Sequence, residues 1–293
     1  MFNRMPRVLK NMKTNPSTKR AFTLVELLVI IASVAILAVM LLPALARAKY
    51  PSEVINCVSN FKQWSAMANV YANDDSQGAM PSFSLGASGG NPTDVSVNFE
   101  TNLLPYRITV AMNFCPARPS DLDSAQYWFR ANFHRDMITI GDLNLWFTDS
   151  AHPTPSPGGR STGTYAKLLH DWWVPRCAAL NNNCYPVPGV TDLNRSGKFP
   201  AGCLGWPSKM SDKTVGVSPI ISDLAEITGA YDTNVSDLKS AAPPAIGNAH
   251  FYNGSLNSIN LGFADGRVET HNPSQIQWQY TGNLFGEKDS YFY

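Results

Sequence analysis

The feature that most constrains this chain is an apolar run over residues 22–46, in which only Thr23, Glu26, Ser33 and Pro43 depart from the apolar set. Its 25 residues, wound as a helix at ~1.5 Å per residue, reach roughly 37 Å, enough to cross a bilayer. Arg4, Arg7, Lys10, Lys13, Lys19 and Arg20 precede it without a single acid, which places that end on the cytoplasmic side by the positive-inside rule. A cleavable secretory signal is the plainer alternative, but its apolar core is only ~7–15 residues long and has no use for a carboxylate. Glu26 inside a membrane segment costs several kcal/mol, so it is read as functional and in need of a cationic partner.

Beyond that run the composition is that of a loop-rich globular body. Charged residues make up 15% of the chain and Gly and Pro together about one residue in seven, which predicts many turns. The net charge of +1 hides an asymmetry, because 17 of the 23 basic residues remain after residue 21 against all 22 acids. A body of net −5 is not built to bind nucleic acid. A single long apolar run also excludes multi-span membrane folds, and no collagen or heptad repeat is present.

The segment Lys19-Arg20-Ala21-Phe22-Thr23-Leu24-Val25-Glu26 resembles the processing signal of type IV prepilins and type II secretion pseudopilins. The resemblance implies cleavage between Ala21 and Phe22 by a prepilin peptidase, methylation of the new terminus and retention of the apolar run as a filament-core helix. Ala21 stands where the family more often has Gly. Counted from Phe22, Glu26 is the fifth residue and Pro43 the twenty-second, where the family carries its assembly carboxylate and often a helix-bending proline. The implied partner of Glu26 is the terminal amine of a neighbouring subunit. A first-turn Glu favoured by the helix dipole is the simpler reading of the same residue.

After the membrane segment, Val54, Ile55, Val58, Phe61, Trp64, Ala68 and Tyr71 recur at three- and four-residue steps and predict an amphipathic helix, with Pro51 as a bend or restart. Asn73-Asp74-Asp75-Ser76-Gln77-Gly78 supplies its stop. Residues 55–63, with Cys57, Asn60, Lys62 and Gln63, resemble a pseudopilin-like group related to type II secretion protein G. So does the ending with His250, Gly254, Asn260, Phe263, Ala264, Asp265, Gly266, Val268 and Glu269. The expected organisation is a leader over 1–21, a transmembrane helix over 22–46, a helix continuation over 47–78 and a head over 79–293. The fold class expected from these elements and the resemblance is α+β and pilin-like: a long N-terminal helix packed on a loop-rich antiparallel β head. Strands are expected at 107–115, 137–140, 215–222, 259–264 and 267–270, and short helices at 168–174 and 222–228. Asp265-Gly266 predicts a two-residue hairpin turn.

Five cysteines outside the inner membrane can form disulfides. Cys57 and Cys115 lie where the resembled group often carries cysteines, and Cys177–Cys184 would close a small staple. Zinc fits the sequence poorly, for want of CxxC or paired-His spacing. Asp192, Asn194, Ser196 and Gly197 copy the first half of a calcium loop, but Cys203 stands where the bidentate Glu belongs. Ser222-Asp223 and the stretch from His250 to His271 are the remaining polar groups. Of these, His250, Asp265 and His271 suit a transition metal, and Asp265 with Glu269 suits calcium. A plain structural turn needs neither, so no cofactor is assigned.

Three functions compete: a filament subunit, a tip subunit binding glycan or protein through Trp128, Trp146, Trp172, Trp173 and Trp206, and a tethered metallohydrolase using His250, Asp265 and His271. No GxSxG, HExxH or P-loop motif is present, so the chain is read as a non-enzyme. The expected partners are other pilin or pseudopilin subunits, the prepilin peptidase, an inner-membrane assembly platform and lipid, without nucleic acid. The expected location is the inner membrane, single-pass, with leader cytoplasmic and head periplasmic, and then a filament.

Overall fold

The computed structural model describes residues 22–85, 91–148, 165–177, 184–185, 197–198, 202–227, 231–238, 249–252, 254–282 and 289–293. The leader before Phe22, and the calcium-loop residues Asp192, Asn194 and Ser196, lie outside them. Helix α1 (Leu24–Asp74) is followed by β1 (Asp94–Val95), α2 (Phe99–Asn102), α3 (Pro119–Phe133) and α4 (Ile140–Thr148). Then come β2 (Ala166–Lys167), β3 (His170–Trp172), β4 (Arg176–Cys177), β5 (Cys184–Tyr185), β6 (Gly197–Lys198), β7 (Ile221–Asp223) and β8 (Glu226–Ile227). The chain ends with β9 (His250–Tyr252), β10 (Ser255–Gly262), β11 (Val268–His271), β12 (Trp278–Gly282) and β13 (Ser290–Phe292). The class is therefore α+β, with one N-terminal apolar helix and antiparallel sheets.

Contacts divide the chain after Ala48. In the first unit none of the residues in the apolar part of α1, Leu24–Pro43, is buried, and the stretch is long enough to cross a membrane. Thr23 and Glu26 start the helix as a reciprocal cap: the Thr23 amide and hydroxyl donate to Glu26 Oε2 at 2.9 and 2.8 Å, and the Glu26 amide donates to Thr23 Oγ1 at 3.2 Å.

In the second unit α1 runs through Pro51 without a break. One lost backbone hydrogen bond costs ~3 kcal/mol, less than the face that follows recovers by burial. That face is Cys57, Phe61, Trp64, Ala68 and Ala72, all essentially inaccessible to solvent. Ile55 is 67% exposed and lies off it, a correction to the expected stripe. The stop falls as expected: α1 ends at Asp74, Asp75 Oδ1 accepts from the Gln77 and Ala79 amides, and Gly78 takes a positive φ.

The larger sheet has the order β11-β10-β7-β3, with β9 also pairing β10, and a second sheet runs β6-β12-β13-β8. β10 is the centre of the first. Its residues 258–262 are buried in succession because neighbours flank it and α1 covers one face. On that face Gly262 lies under Phe61 and Ser65, and the Asn69 side chain donates to the Ala264 carbonyl.

Strands expected at 259–264 and 267–270 are present as β10 and β11. The turn between them differs from the two-residue form. Gly266 donates to the Phe263 carbonyl at 3.0 Å, Phe263 to the Arg267 carbonyl at 2.9 Å, and only Gly266 takes a positive φ. This is a three-residue loop with glycine in the left-handed position. Residues 107–115 are not a strand but a left-handed Arg107 and a 3-10 turn, Val110–Asn113. Residues 137–140 lead into α4, and the helices expected at 168–174 and 222–228 are the strands β3, β7 and β8. These short apolar runs fit either periodicity, and pairing decided them: β3 with β7, β7 with β10 and β8 with β13.

Candidate functional site

Four side chains that the sequence keeps far apart meet beside α1. Cys57 comes from the helix, Cys115 from the segment after the 3-10 turn, Asp223 from the end of β7 and His250 from the start of β9. One potential ligand atom from each lies within 4.8 Å of all the others, and all four residues are buried. Cys115 Sγ is 3.1 Å from His250 Nε2, Asp223 Oδ2 is 3.4 Å from the same nitrogen, and the Cys57 thiol donates to Asp223 Oδ1 at 3.6 Å. A surrounding layer holds them in place. His250 Nδ1 is 3.2 Å from Ser258 Oγ, and the Asn260 amide donates to Asp223 Oδ2 at 2.7 Å. Asn260 Oδ1 in turn accepts from Thr270 Oγ1 at 2.7 Å.

Local folding explains the convergence. Cys57 begins the buried face of α1, four residues before Phe61. Asp223 is opposite His170 in the β3–β7 register, and His250 is opposite Ser258 across the β9–β10 pair. The β-bulge between Leu256 and Ser258 sets the His250 ring against the Ser258 hydroxyl.

The electrostatics separate the two thiols. The neighbouring Cys57 is the strongest influence on Cys115 and, with His250, holds its pKa down against the effect of burial. The same proximity of Cys115, together with burial, pushes Cys57 well up. Burial alone would lower His250, but Asp223 and Cys115 outweigh it and raise the imidazole to about 9. The neighbouring His170, fully buried and edge-on to Phe61, is pushed down to about 4 by that burial. A thiol–imidazole–carboxylate relay of the hydrolytic kind needs the acid on the imidazole nitrogen remote from the sulfur. Here sulfur and carboxylate share Nε2, and Nδ1 goes to Ser258.

The structure distributes the other expected site residues as follows. Cys57 and Cys115 are free thiols rather than disulfide cysteines, engaged with Asp223 and His250. Cys177 is disulfide-bonded and stands opposite Cys184 in the β4–β5 register. His250, Asp265, Glu269 and His271 do not converge. Asp265 and Glu269 both face Arg267 at the hairpin, the former at 3.6 Å, and His271 Nε2 is 3.3 Å from Glu269. A guanidinium thus occupies the place that a calcium ion would take between those carboxylates. The metallohydrolase set is not assembled, because His250 is buried in the other cluster. Trp128, Trp146, Trp172, Trp173 and Trp206 are all core residues, which removes them as an exposed binding platform. Phe22, Glu26 and Pro43 lie in the first unit, at the start and end of its exposed apolar helix.

Comparison with known proteins adds no relative: no family model, curated protein or solved structure matches this chain.

Proposed function

We propose that this chain is a structural subunit of a pilin-like filament, of the type II secretion pseudopilus or type IV pilus kind, and that its work is assembly rather than catalysis. The observation that carries the reading is the helix Leu24–Pro43, apolar but for Glu26 and Ser33 and with none of its residues buried in the fold. Such a surface is stable only in lipid or against other apolar helices. Both environments belong to a subunit that waits in a bilayer and then packs in a filament core. The helix begins two residues after Phe22, at the junction that resembles a prepilin peptidase site, and leads into a residue set of α+β class.

In this reading the leader is cytoplasmic and the head periplasmic. The partners are the peptidase, an inner-membrane assembly platform and neighbouring subunits, whose terminal amine would meet the Glu26 carboxylate. The test is the mature terminus. Protein purified from membranes of a host with prepilin peptidase should begin at Phe22, with the mass of one added methyl group, and should remain full length from there. A mature chain beginning beyond residue 40 would mean an ordinary signal peptide and would remove the proposal.

A further inference from the structure

We propose that Cys57, Cys115, Asp223 and His250 bind one zinc(II) ion as a closed, four-ligand structural site within the head. The donor set is the first argument. Two thiol sulfurs, one imidazole nitrogen and one carboxylate oxygen are the ligand types of tetrahedral zinc. Sulfur selects against magnesium and calcium, which take oxygen.

Geometry is the second. Zinc–sulfur bonds of ~2.3 Å and zinc–nitrogen bonds of ~2.0–2.1 Å place neighbouring tetrahedral ligands roughly 3.3–3.8 Å apart. Three of the six separations are 3.1 Å for Cys115 to His250, 3.4 Å for His250 to Asp223 Oδ2 and 3.6 Å for Cys57 to Asp223 Oδ1, and one ligand atom from each residue lies within 4.8 Å of all the others. The set is therefore already close to the size of a coordination shell, and small side-chain movements complete it.

The surrounding contacts are the third. A zinc-bound imidazole gives its other nitrogen to an orienting group, and a zinc-bound carboxylate is itself hydrogen-bonded. Ser258 Oγ holds His250 Nδ1 and leaves Nε2 turned to the cluster, and the Asn260 amide holds Asp223 Oδ2. A cavity of about 440 Å³ lined by Asn56, Asn60, Phe114, Cys115 and Pro116 borders the cluster at Cys115. With four protein ligands no coordination position is left for water or substrate, so the site stabilises rather than catalyses. It would join residues 166 apart along the chain, Cys57 and Asp223, and 135 apart, Cys115 and His250, clamping α1 to the sheet.

The experiment uses the full chain, solubilised in mild detergent and purified under reducing conditions without chelator. Elemental analysis should give one zinc per chain. Exchange with cobalt(II) should give thiolate charge-transfer absorption in the near ultraviolet and the intense visible bands of a tetrahedral ion. Cys115→Ser and His250→Ala should lose the stoichiometric metal, while Cys203→Ser and His271→Ala keep it. If the first pair fails to fold, the cobalt spectrum of the unaltered chain decides by itself. A folded, reduced chain that takes up neither zinc nor cobalt overturns the proposal. So does a Cys57–Cys115 disulfide in a non-reducing peptide map, if reduction does not restore metal uptake.

Discussion

Gly262 of β10 lies so close beneath Ser65 of α1 that a Cβ added to the glycine would stand 2.9 Å from Ser65 Oγ and 2.8 Å from the Ile221 Cγ2 methyl. Contacts below ~3 Å force the neighbours to move, and overpacking of this kind costs roughly 1–3 kcal/mol. Gly262→Ala should therefore lower the unfolding free energy of the head by that order, read from urea denaturation. Ser65 Oγ is buried without a hydrogen-bond partner, so Ser65→Ala alone should be close to neutral. Combined with Gly262→Ala it should return part of the loss. Strict additivity in that double-mutant cycle would mean that the two residues do not compete for space.

Arg176 is the one fully buried guanidinium among the described residues, and its donors reach main-chain oxygens of Asn91, Pro92, Asp94, Trp172 and Val174. Burial lowers its pKa to about 10, which leaves it charged at neutral pH. It thus closes the segment before β1 onto the β3–β4 connection. Arg176→Met should cost ~3–5 kcal/mol, because several buried carbonyls lose their donor together. Arg176→Lys should recover only part, since an ammonium has three donors and no fork. Urea denaturation of the three forms measures the difference.

Asp142 is the acid of a second reciprocal cap, at the start of α4. Its Oδ2 accepts from the Thr139 and Ile138 amides at 2.9 and 3.0 Å, its amide donates to Thr139 Oγ1 at 3.1 Å, and Arg135 pairs with both oxygens. The Arg135 hydrogen bond, aided by the amides, holds the carboxyl well below its usual range. A carboxyl depressed in the folded state adds stability that is present above its unfolded pKa of ~3.9 and is lost as pH falls toward the folded value. Asp142→Asn should cost ~1–2 kcal/mol at neutral pH, and the gap should narrow as pH drops below ~3.9. A gap of constant size from pH 7 to 2 would exclude the carboxylate as its source.

The long elements were legible because periodicity outlasts local ambiguity. The apolar run, the Phe61, Trp64 and Ala68 positions of the α1 face, its stop after Asp74 and the two strands of the β10–β11 hairpin all follow from residue spacing. Runs such as 168–174 carried no such information; their state was set by pairing with strands about fifty residues away. The buried cluster shows the limit most clearly. Cys57, Cys115, His250 and Asp223 were each visible as a residue of interest, but as disulfide cysteines, a metal candidate and a polar pair. What made them one group was strand register and a helix face, which no spacing rule encodes.

Gly266 adopts φ +88° in the Phe263–Arg267 loop with open space where a Cβ would lie, so the strain of a substitution is conformational, not steric crowding. Gly266→Val should destabilise the hairpin by ~1–3 kcal/mol. Gly266→Asn should be much milder, because asparagine tolerates the left-handed region. Equal losses for the two would point to a side-chain clash instead. Hydrogen exchange at the Phe263 and Arg267 amides would localise the effect.

Glu26 is asked to do two things that a single deletion would confuse. Its carboxylate accepts from the Thr23 amide and hydroxyl and so starts the helix, and in the proposed filament its charge meets the amine of a neighbouring subunit. Glutamine separates the roles, since its amide oxygen can still accept the capping bonds but carries no charge. Glu26→Ala should leave insertion and cleavage intact while filament assembly fails. Glu26→Gln should keep the helix start and fail in assembly to the same degree, because the amine is left without a counter-charge in an apolar setting. Asp at the same position retains the charge on a shorter arm and should assemble better than either. Processing is read by mass spectrometry and assembly by the sheared or sedimented filament fraction. Normal filaments from Glu26→Gln would show that the cap alone is needed and would discard the charge pairing.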